Sequence, residues 1–313
     1  MPGETFVEWN REGAGVGTEP ASTDEGNRRA PTGAGEEEVG QASGFVAGSA
    51  PSLGAAVRRA GDAVPSAGQD GSESASGDPN VATSATPGPG EPREEGLYVL
   101  HLFLKPRGTA DVESACGAVK RARSVGSQVV TAALFGHKAD VGVMALSSRS
   151  WPLRDLQTGL SQAGFETVYS YTSLTEVSEY AEGIPDEIRD ARLYPQLPPE
   201  GMAAFSFYPM SKRRQPGRNW YTLPFDERKS LMSSHGRVGR EFRGRVVQLV
   251  TGSSGLDDYE WGVTLFGISH DDLKACVYEM RFDPASANYA DFGPFYAGMV
   301  ADPATVFERV LTS

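Results

Sequence analysis

The sequence predicts an α+β fold in which two ferredoxin-like βαββαβ halves form a dimeric α+β barrel. One observation is that the order of strand-like and helix-like segments in residues 96–190 returns in residues 191–313. Another is the proline-rich stretch ARLYPQLPPEG, which separates the two copies. Because two antiparallel sheets that close on each other leave no exposed edge, a barrel is the expected arrangement.

The first 95 residues differ in composition from the rest, being rich in Gly, Ala, Ser, Pro and Glu. Residues 1–92 hold 14 of the 41 acidic and 5 of the 29 basic residues, so they carry −9 of the net charge of −12. Such a segment buries too little apolar surface to offset its loss of conformational entropy. We therefore predict a disordered acidic extension over residues 1–95, in which the aromatic stretch ETFVEW either lacks a function or docks a partner.

The part of the chain that is predicted to be ordered begins at Gly96, at the start of the first half. Its first helix has an acidic N-cap region at Asp111 and ends at Gly126, and Ser150 is a candidate cap for the second helix. The predicted strands are LYVLHLFLK, SQVVTAALFG, ADVGVMALS and FETVYSYTSLTEV, and the helices are DVESACGAVKRARSVG and WPLRDLQTGLSQAG.

The second half repeats this order and adds a closing helix. Pro224 opens its long helix, because proline suits the first helical turn. The predicted strands are MAAFSFYPMS, RVVQLVTGS, DYEWGVTLFG and FGPFYAGMV, and the helices are FDERKSLMSSHGRVGREF, DDLKACVYEMRF and ADPATVFERVLTS.

Composition excludes several classes of protein. Outside residues 1–92 the net charge is only −3, which argues against nucleic acid as a partner. No run of eighteen apolar residues predicts a membrane span, and the acidic N-terminus resembles neither a signal nor a transit peptide, so we expect a cytoplasmic protein. Cys116 and Cys276 lie far apart among small and apolar residues, which indicates reduced core cysteines.

Histidine is scarce, and no zinc-hydrolase, nucleophile-elbow, P-loop or dinucleotide-binding motif occurs. His137 and His270 lie in surface-like sequence, and His101 on the first strand is expected to be packed or exposed. His235 lies near the end of the long second-half helix. It is either an ordinary surface residue or, if it points inward without a partner carboxylate, a ligand for iron.

The stretch FYPMSKRR brings chemistry-bearing side chains together at a strand end. Tyr208 and Lys212 are four residues apart, and Met210, Arg213 and Arg214 lie beside them. A phenol near a cation suits proton or one-electron chemistry, and the basic cluster suits carboxylates. The alternative is a basic turn at the surface.

Three further polar or aromatic residues leave two interpretations open. Gln248 lies among apolar neighbours, so its amide needs a hydrogen-bond partner or faces a polar cavity. Trp220 is equally compatible with core packing and with a redox role, whereas Trp261 is expected to pack in the core.

Five segments in order carry a resemblance to a known family. They are YPMSKRR, NWYTLP, HGRVGR, QLVTGSSGLDDYEWGVTLF and YEMRFDPASANYADFGPFYAG. These segments resemble those of the coproheme decarboxylases, which belong to the chlorite dismutase-like superfamily. The resemblance covers roughly residues 96–300 and is strongest after Gly201.

The resemblance implies an enzyme of haem biosynthesis. The substrate would be iron coproporphyrin III (coproheme), which is also the redox centre. Hydrogen peroxide would oxidise it, and two propionates would leave as carbon dioxide to give haem b, the last step of the coproporphyrin-dependent pathway. The family usually assembles as a homopentamer, and a ferrochelatase-type partner for the N-terminal extension is a further hypothesis.

The resemblance also implies residue roles. His235 matches the proximal iron ligand of the family, Tyr208 the tyrosine proposed to form the radical that attacks a propionate, and Lys212 the lysine that positions a propionate. The residues that match porphyrin-pocket or propionate-holding positions are Met210, Trp220, Ser286 and, in RLYP, Arg192.

Gln248 matches the distal amide of the Firmicute-type enzymes, whereas the chlorite-degrading members have an arginine there. Actinobacterial decarboxylases use a distal histidine before the FYPMSK motif, but no histidine lies between His137 and His235. A Firmicute-like decarboxylase is therefore favoured. The alternatives are a chlorite dismutase or haem peroxidase on the same fold, or a haem-binding protein without enzymatic activity.

Overall fold

The computed structural model describes residues 92–93, 95–181 and 183–312. The extension predicted to be disordered, including the stretch ETFVEW, lies almost wholly outside the described residues. The strands are β1 (Tyr98–Pro106), β2 (Gln128–Leu134), β3 (Val141–Ser147), β4 (Phe165–Leu174), β5 (Ala204–Lys212), β6 (Arg214–Gln215), β7 (Arg218–Asn219), β8 (Val246–Gly252), β9 (Trp261–Gly267), β10 (Ala290–Phe292) and β11 (Tyr296–Ala301). The helices are α1 (Val112–Ser124), α2 (Trp151–Gln162), α3 (Asp186–Leu193), α4 (Phe225–Arg240), α5 (His270–Met280), α6 (Pro284–Ala287) and α7 (Pro303–Leu311).

The strands form a closed antiparallel barrel, which confirms the predicted fold. The first half contributes the strand order β2-β3-β1-β4, and the second half contributes the equivalent order β8-β9-β5-β11. Pairing of β11 with β2 and of β4 with β8 joins the two halves. Each half therefore supplies one four-stranded ferredoxin-like sheet, and their union leaves the eight barrel strands without a free edge.

The ends of the first two helices show which of the predicted helix caps are correct. Asp111 caps α1 as predicted, since its side chain accepts a hydrogen bond from the backbone N–H of Glu113. Gly126 follows the helix with a φ of +91°, a conformation that favours glycine. The cap predicted at Ser150 is wrong, because Ser150 has helical backbone angles and its side chain makes no cap hydrogen bond.

Three apolar layers hold the fold together. One lies between the outer face of the first-half sheet and α1, α2 and α7, and another fills the barrel. The third lies between the outer face of the second-half sheet and α4 and α5; it includes Tyr208, Val250 and Trp261. Since successive strand residues point to opposite faces, Phe205 and Phe207 point into the barrel while Tyr208 points to the third layer.

His101 is a packed barrel residue, as one of its two predicted alternatives stated. It is fully buried, its Nε2 lies 2.9 Å from the Thr264 hydroxyl, and its ring packs on Phe207 at 4.3 Å between centroids. Burial lowers the pKa of His101 to about 3, so the ring is neutral.

Two other predictions from the sequence concern the state of the cysteines and the absence of membrane-spanning segments. Cys116 is partly buried, Cys276 is buried, and both are free thiols. Across residues 92–93, 95–181 and 183–312, every helix is too short or too polar to cross a bilayer.

Candidate functional site

A cavity lies between the outer face of the second-half sheet and helices α4 and α5. It leaves about 690 Å³ of empty space, part of it open to solvent, which is within the usual range for small-molecule sites. Seven of the eight site residues predicted from the sequence line it: Tyr208, Met210, Lys212, Trp220, His235, Gln248 and Ser286. The remaining lining residues are Met232, Val250, Trp261, Val263, Val277, Met280, Arg281 and Phe292.

His235 points inward from the third turn of α4 toward the short helix α6. Its Nδ1 lies 3.2 Å from Oδ1 of Asp283 and 3.4 Å from the Ser286 hydroxyl. The iron-ligand alternative was given for an inward-pointing His235 without a partner carboxylate. The ring does point inward, but it has Asp283 as a partner. An Nδ1–H that donates to a carboxylate fixes the ring orientation and leaves Nε2 as the nitrogen for a metal.

Asp283 is held so that it can orient the imidazole. It caps α6, and its Oδ1 also accepts a hydrogen bond of 2.9 Å from the backbone N–H of Ala285. Burial opposes ionisation, but the hydrogen bonds from His235 and from the Ala285 N–H outweigh it and hold the pKa of Asp283 below its usual value. The residue presents a buried carboxylate to the histidine.

Tyr208 lies on β5 and is buried. Its ring stacks on Phe295 with 4.4 Å between centroids and meets the edge of Phe292 at 5.6 Å. Burial raises the pKa of Tyr208 well above its usual value, so the phenol keeps its proton. The cavity thus contains a neutral phenol in an aromatic surrounding.

Lys212 lies four residues further along β5, on the same face as Tyr208. Its Nζ donates to the carbonyl of Ala285 at 3.0 Å and lies 4.3 Å from the centre of the Trp220 ring. Burial lowers the pKa of Lys212 to about 8, although Asp283 and Glu260 act in the opposite direction. The alternative of a surface basic turn is wrong for Lys212, but Arg214 beside it is exposed and pairs with Glu260.

Gln248 and the two tryptophans complete the walls. Gln248 is buried on β8 and faces a cavity, as one of its two predicted alternatives stated, but most of the cavity lining is apolar rather than polar. Trp220 is buried and meets Tyr289 edge-on. Trp261 is buried as predicted, but it also lines the cavity, which the sequence did not indicate.

Arg192 does not line this cavity, in contrast to the other predicted site residues. It lies at the end of α3 and lines a separate depression beside α4. Lys229 and Arg240 also line that depression, and Met232 borders both spaces. The side-chain Nε of Arg192 is shielded from solvent without a hydrogen-bond partner among the described residues.

Sequence reasoning missed Asp283 and most of the apolar lining. Asp283 is 48 residues from His235, and only the packing of α6 on α4 brings the two together. Residues such as Met232, Val263 and Met280 have the same signature as core residues. No spacing rule could have separated them from the core, although Asp283 itself lies in a segment that carries the resemblance.

Comparison with known proteins places the chain in a family. A family model described as chlorite dismutase matches residues 108–301, more than half of the chain. The chain therefore belongs to the chlorite dismutase family. It is 39% identical over 243 residues to a Natronomonas pharaonis protein named "Putative heme-binding protein", an alignment that covers 67% of this chain and 40% of that relative. The chain thus spans about 40% of the length of this curated relative.

Solved structures agree with this assignment. A protein of Thermus thermophilus, described as a novel heme-binding protein, superposes with a TM-score of 0.62 at 34% identity, covering 71% of this chain and 98% of its own. A chlorite dismutase variant from Candidatus Nitrospira defluvii superposes with a TM-score of 0.54 at 17% identity, covering 69% of this chain and 96% of its own. The second likeness supports the fold alone.

Proposed function

We propose that this chain is a peroxide-dependent coproheme decarboxylase, which converts two propionates of iron coproporphyrin III into the vinyl groups of haem b. The observation that carries the proposal is the convergence of Tyr208, Lys212, His235 and Gln248 on one cavity. Four side chains chosen for different chemical reasons come from three separate elements and line the same space. Heme binding named for two relatives agrees with this proposal.

The residues present fit an iron porphyrin. Valine, methionine and tryptophan side chains suit a porphyrin ring, and Lys212 offers a cation for a carboxylate. His235 offers Nε2 to iron because Asp283 engages Nδ1. When bound, the iron porphyrin supplies both the metal that reacts with hydrogen peroxide and the propionates that are consumed.

The overall reaction balances with peroxide as the only oxidant. Each propionic acid side chain and one hydrogen peroxide give one vinyl group, one carbon dioxide and two waters. Two electrons leave the propionate as its carbon–carbon bond to the carboxyl group breaks. Two such rounds are needed for haem b.

The protein's own residues then have distinct tasks. Tyr208, a protonated phenol, would give up an electron and its proton and then recover a hydrogen atom from the propionate. Lys212 holds the carboxylate in place, and Asp283 keeps His235 oriented. Met210, Trp220 and Ser286 would hold the porphyrin and its propionates.

Arg192 is proposed to contact a propionate only if the substrate extends past Met232 toward the neighbouring depression. We also propose that the protein assembles as a homopentamer, lies in the cytoplasm and has a ferrochelatase-type partner. We propose that the chain divides into the N-terminal extension and the two halves after residues 95 and 190.

A second candidate function is haem binding without turnover, which the names of two relatives favour. Gln248 argues against chlorite cleavage, because it stands where the resemblance gives chlorite-degrading members an arginine.

The test is to load the purified chain with coproheme and then to add peroxide to one sample and chlorite to another. Haem b from peroxide alone supports the decarboxylase. Oxygen released from chlorite would support the dismutase, and tight binding without any product would support the carrier.

A further inference from the structure

A glutamate just beyond β4 occupies an unusual place beside the cavity. A Cβ atom built on Gly252 would lie 2.4 Å from Cδ, Oε1 and Oε2 of Glu176 alike. The carboxyl group therefore rests directly on the Cα of Gly252, in space that only glycine leaves open. Gly252 lies on the same face of β8 as Gln248 and Val250, which line the cavity. Glu176 therefore lies on the cavity face of the sheet.

The strand neighbour of Gly252 is Trp261, whose indole lines the cavity. Nε1 of Trp261 and Oε1 of Glu176 are both shielded from solvent, and neither has a geometrically complete hydrogen bond within the described part of the chain. Interaction with the Trp261 side chain nevertheless favours the ionised form of Glu176. A shielded donor and a shielded acceptor thus lie side by side, each without another partner.

Within the described part of the chain, the charge that acts on this carboxyl group is that of Arg93. Arg93 is the cation near Glu176, and its guanidinium donates to the carbonyls of Leu97 at 2.9 Å and Thr175 at 3.3 Å. Burial outweighs both Arg93 and Trp261 and raises the pKa of Glu176 to about 7. Near neutral pH, the carboxyl group is therefore divided between its acidic and ionised forms.

We propose that Glu176 is a positioning residue whose carboxylate accepts the indole N–H of Trp261 and so holds one wall of the cavity, and whose protonation releases that wall. An ionised acceptor binds an N–H more strongly than a protonated carboxyl group does. The cavity is then better formed at pH 8 than at pH 6. Only the identity of the ligand in this inference rests on the proposed function.

The first experiment needs no porphyrin. UV resonance Raman spectra of the full chain, minus those of Trp261→Phe, isolate the indole N–H marker of Trp261 between pH 5 and 9. We expect that marker to titrate with a midpoint near 7 in the wild type. It should not titrate in Glu176→Gln. Glu166→Gln, which changes a partly exposed carboxylate at the start of β4, should behave like the wild type.

Gly252→Ala tests the geometry, because the added methyl group displaces the carboxyl group from its seat. In this variant, the indole N–H marker of Trp261 should keep the wild type's low-pH value over the whole range from pH 5 to 9. A wild-type marker that is flat, or one that titrates unchanged in Glu176→Gln, overturns the proposal.

The second experiment measures the affinity for haem b at pH 6 and pH 8. We expect wild-type affinity to be about 3- to 10-fold weaker at pH 6, as for one weakened charge-assisted hydrogen bond. Lys212 also responds to pH, so the quantity compared is the ratio of the affinities at pH 8 and pH 6 in the wild type and in Glu176→Gln. That ratio should be about 3- to 10-fold smaller in Glu176→Gln. Equal profiles contradict the positioning role. Failure to bind haem at any pH contradicts the proposed function and leaves the Raman result standing.

Discussion

At the residue scale, burial determines how the side chains of the site can act. Tyr208 and Lys212 lie two strand pleats apart on one face, and both are removed from water. Burial keeps the phenol protonated and brings the ammonium close to its neutral form. Under the proposed function, this strand would supply both the hydrogen-atom donor and a pH-dependent anchor for the carboxylate.

Replacing Tyr208 by phenylalanine separates binding from turnover. The ring keeps its stacking on Phe295, so coproheme affinity should change less than about threefold. Decarboxylation should fall by roughly 100-fold or more, because the hydrogen atom of the phenol is lost. Stopped-flow spectra with product chromatography measure both quantities. Tyr221→Phe is the control, because Tyr221 is exposed and does not line the cavity. Normal turnover by Tyr208→Phe would remove Tyr208 from the mechanism.

Lys212 predicts a pH dependence with a definite sign. Its pKa of about 8 lies below the ordinary lysine value, so the free protein loses this ammonium as pH rises through about 8. Affinity for coproheme should therefore decline above pH 8. Lys212→Met should bind about 10- to 100-fold more weakly at pH 7, equivalent to one charge-assisted hydrogen bond, and show no such decline.

Fluorescence-quenching titrations at several pH values measure this effect. Lys120→Met, an exposed lysine of α1, is the matched control. A Lys212→Met variant whose affinity declines above pH 8 as in the wild type would show that another group titrates.

The sequence indicated most of these residues but not their contacts. Tyr208 and Lys212 were recognisable because their spacing of four is consistent with one face of a strand. Asp283 and Glu176 were not, since each acts on a partner that is distant in the chain. Arg192 resembled a propionate ligand in sequence, yet the end of α3 carries it to the neighbouring depression.

At the element scale, closure of the barrel depends on close approach of strands. A Cβ on Gly298 of β11 would lie 2.1 Å from the carbonyl oxygen of Ala133 on β2. Gly298 pairs with Leu134 on one side and Phe205 on the other, so the clash falls at the junction of the two halves. At position 298 this junction leaves no room for a side chain.

Gly298→Ala should lower the free energy of unfolding by roughly 3 kcal/mol, because overpacking at a rigid backbone is costly. Gly236→Ala on α4 is the control, since its Cβ would meet only the end of Arg240 at 3.5 Å. That change should stabilise the chain by up to about 1 kcal/mol through helix propensity. Urea denaturation measures both, and equal stabilities would contradict the tight junction.

Long elements were predictable from their periodicity, and their order was sufficient to predict the barrel. The short elements were not, because α6, β10 and the β6–β7 hairpin have too few residues to show a period. The cavity depends on these pieces: Ser286 lies on α6 and Phe292 on β10. Sequence periodicity therefore predicts the barrel better than it predicts the rim of the site.

At the scale of the whole molecule, Glu176 links the site to stability. Its pKa is about 7 in the folded chain and about 4.5 in an unfolded one, so the folded chain binds more protons between these values. Stability due to this group is therefore greatest below pH 4.5 and declines as pH rises through 7.

Glu176→Gln removes the energetic cost of ionising a buried carboxyl group. It should be more stable than the wild type by roughly 1–3 kcal/mol at pH 8 and equal to it near pH 4. Thermal or urea unfolding at the two pH values checks this expectation, with Glu166→Gln as the control. A variant that is less stable at pH 8 would mean that the carboxylate contributes more through its contacts than burial costs.

The central claim is that the cavity converts coproheme into haem b, and a stepwise peroxide titration tests it most directly. The purified chain is loaded with one equivalent of coproheme, peroxide is added in small steps, and the pigment is followed by chromatography and mass spectrometry. We predict that one carboxyl group is lost per peroxide, through a three-propionate intermediate, and that haem b is complete at two equivalents. Binding followed by bleaching, with all four propionates intact, would contradict the decarboxylase, and no binding at all would contradict the assignment of the cavity.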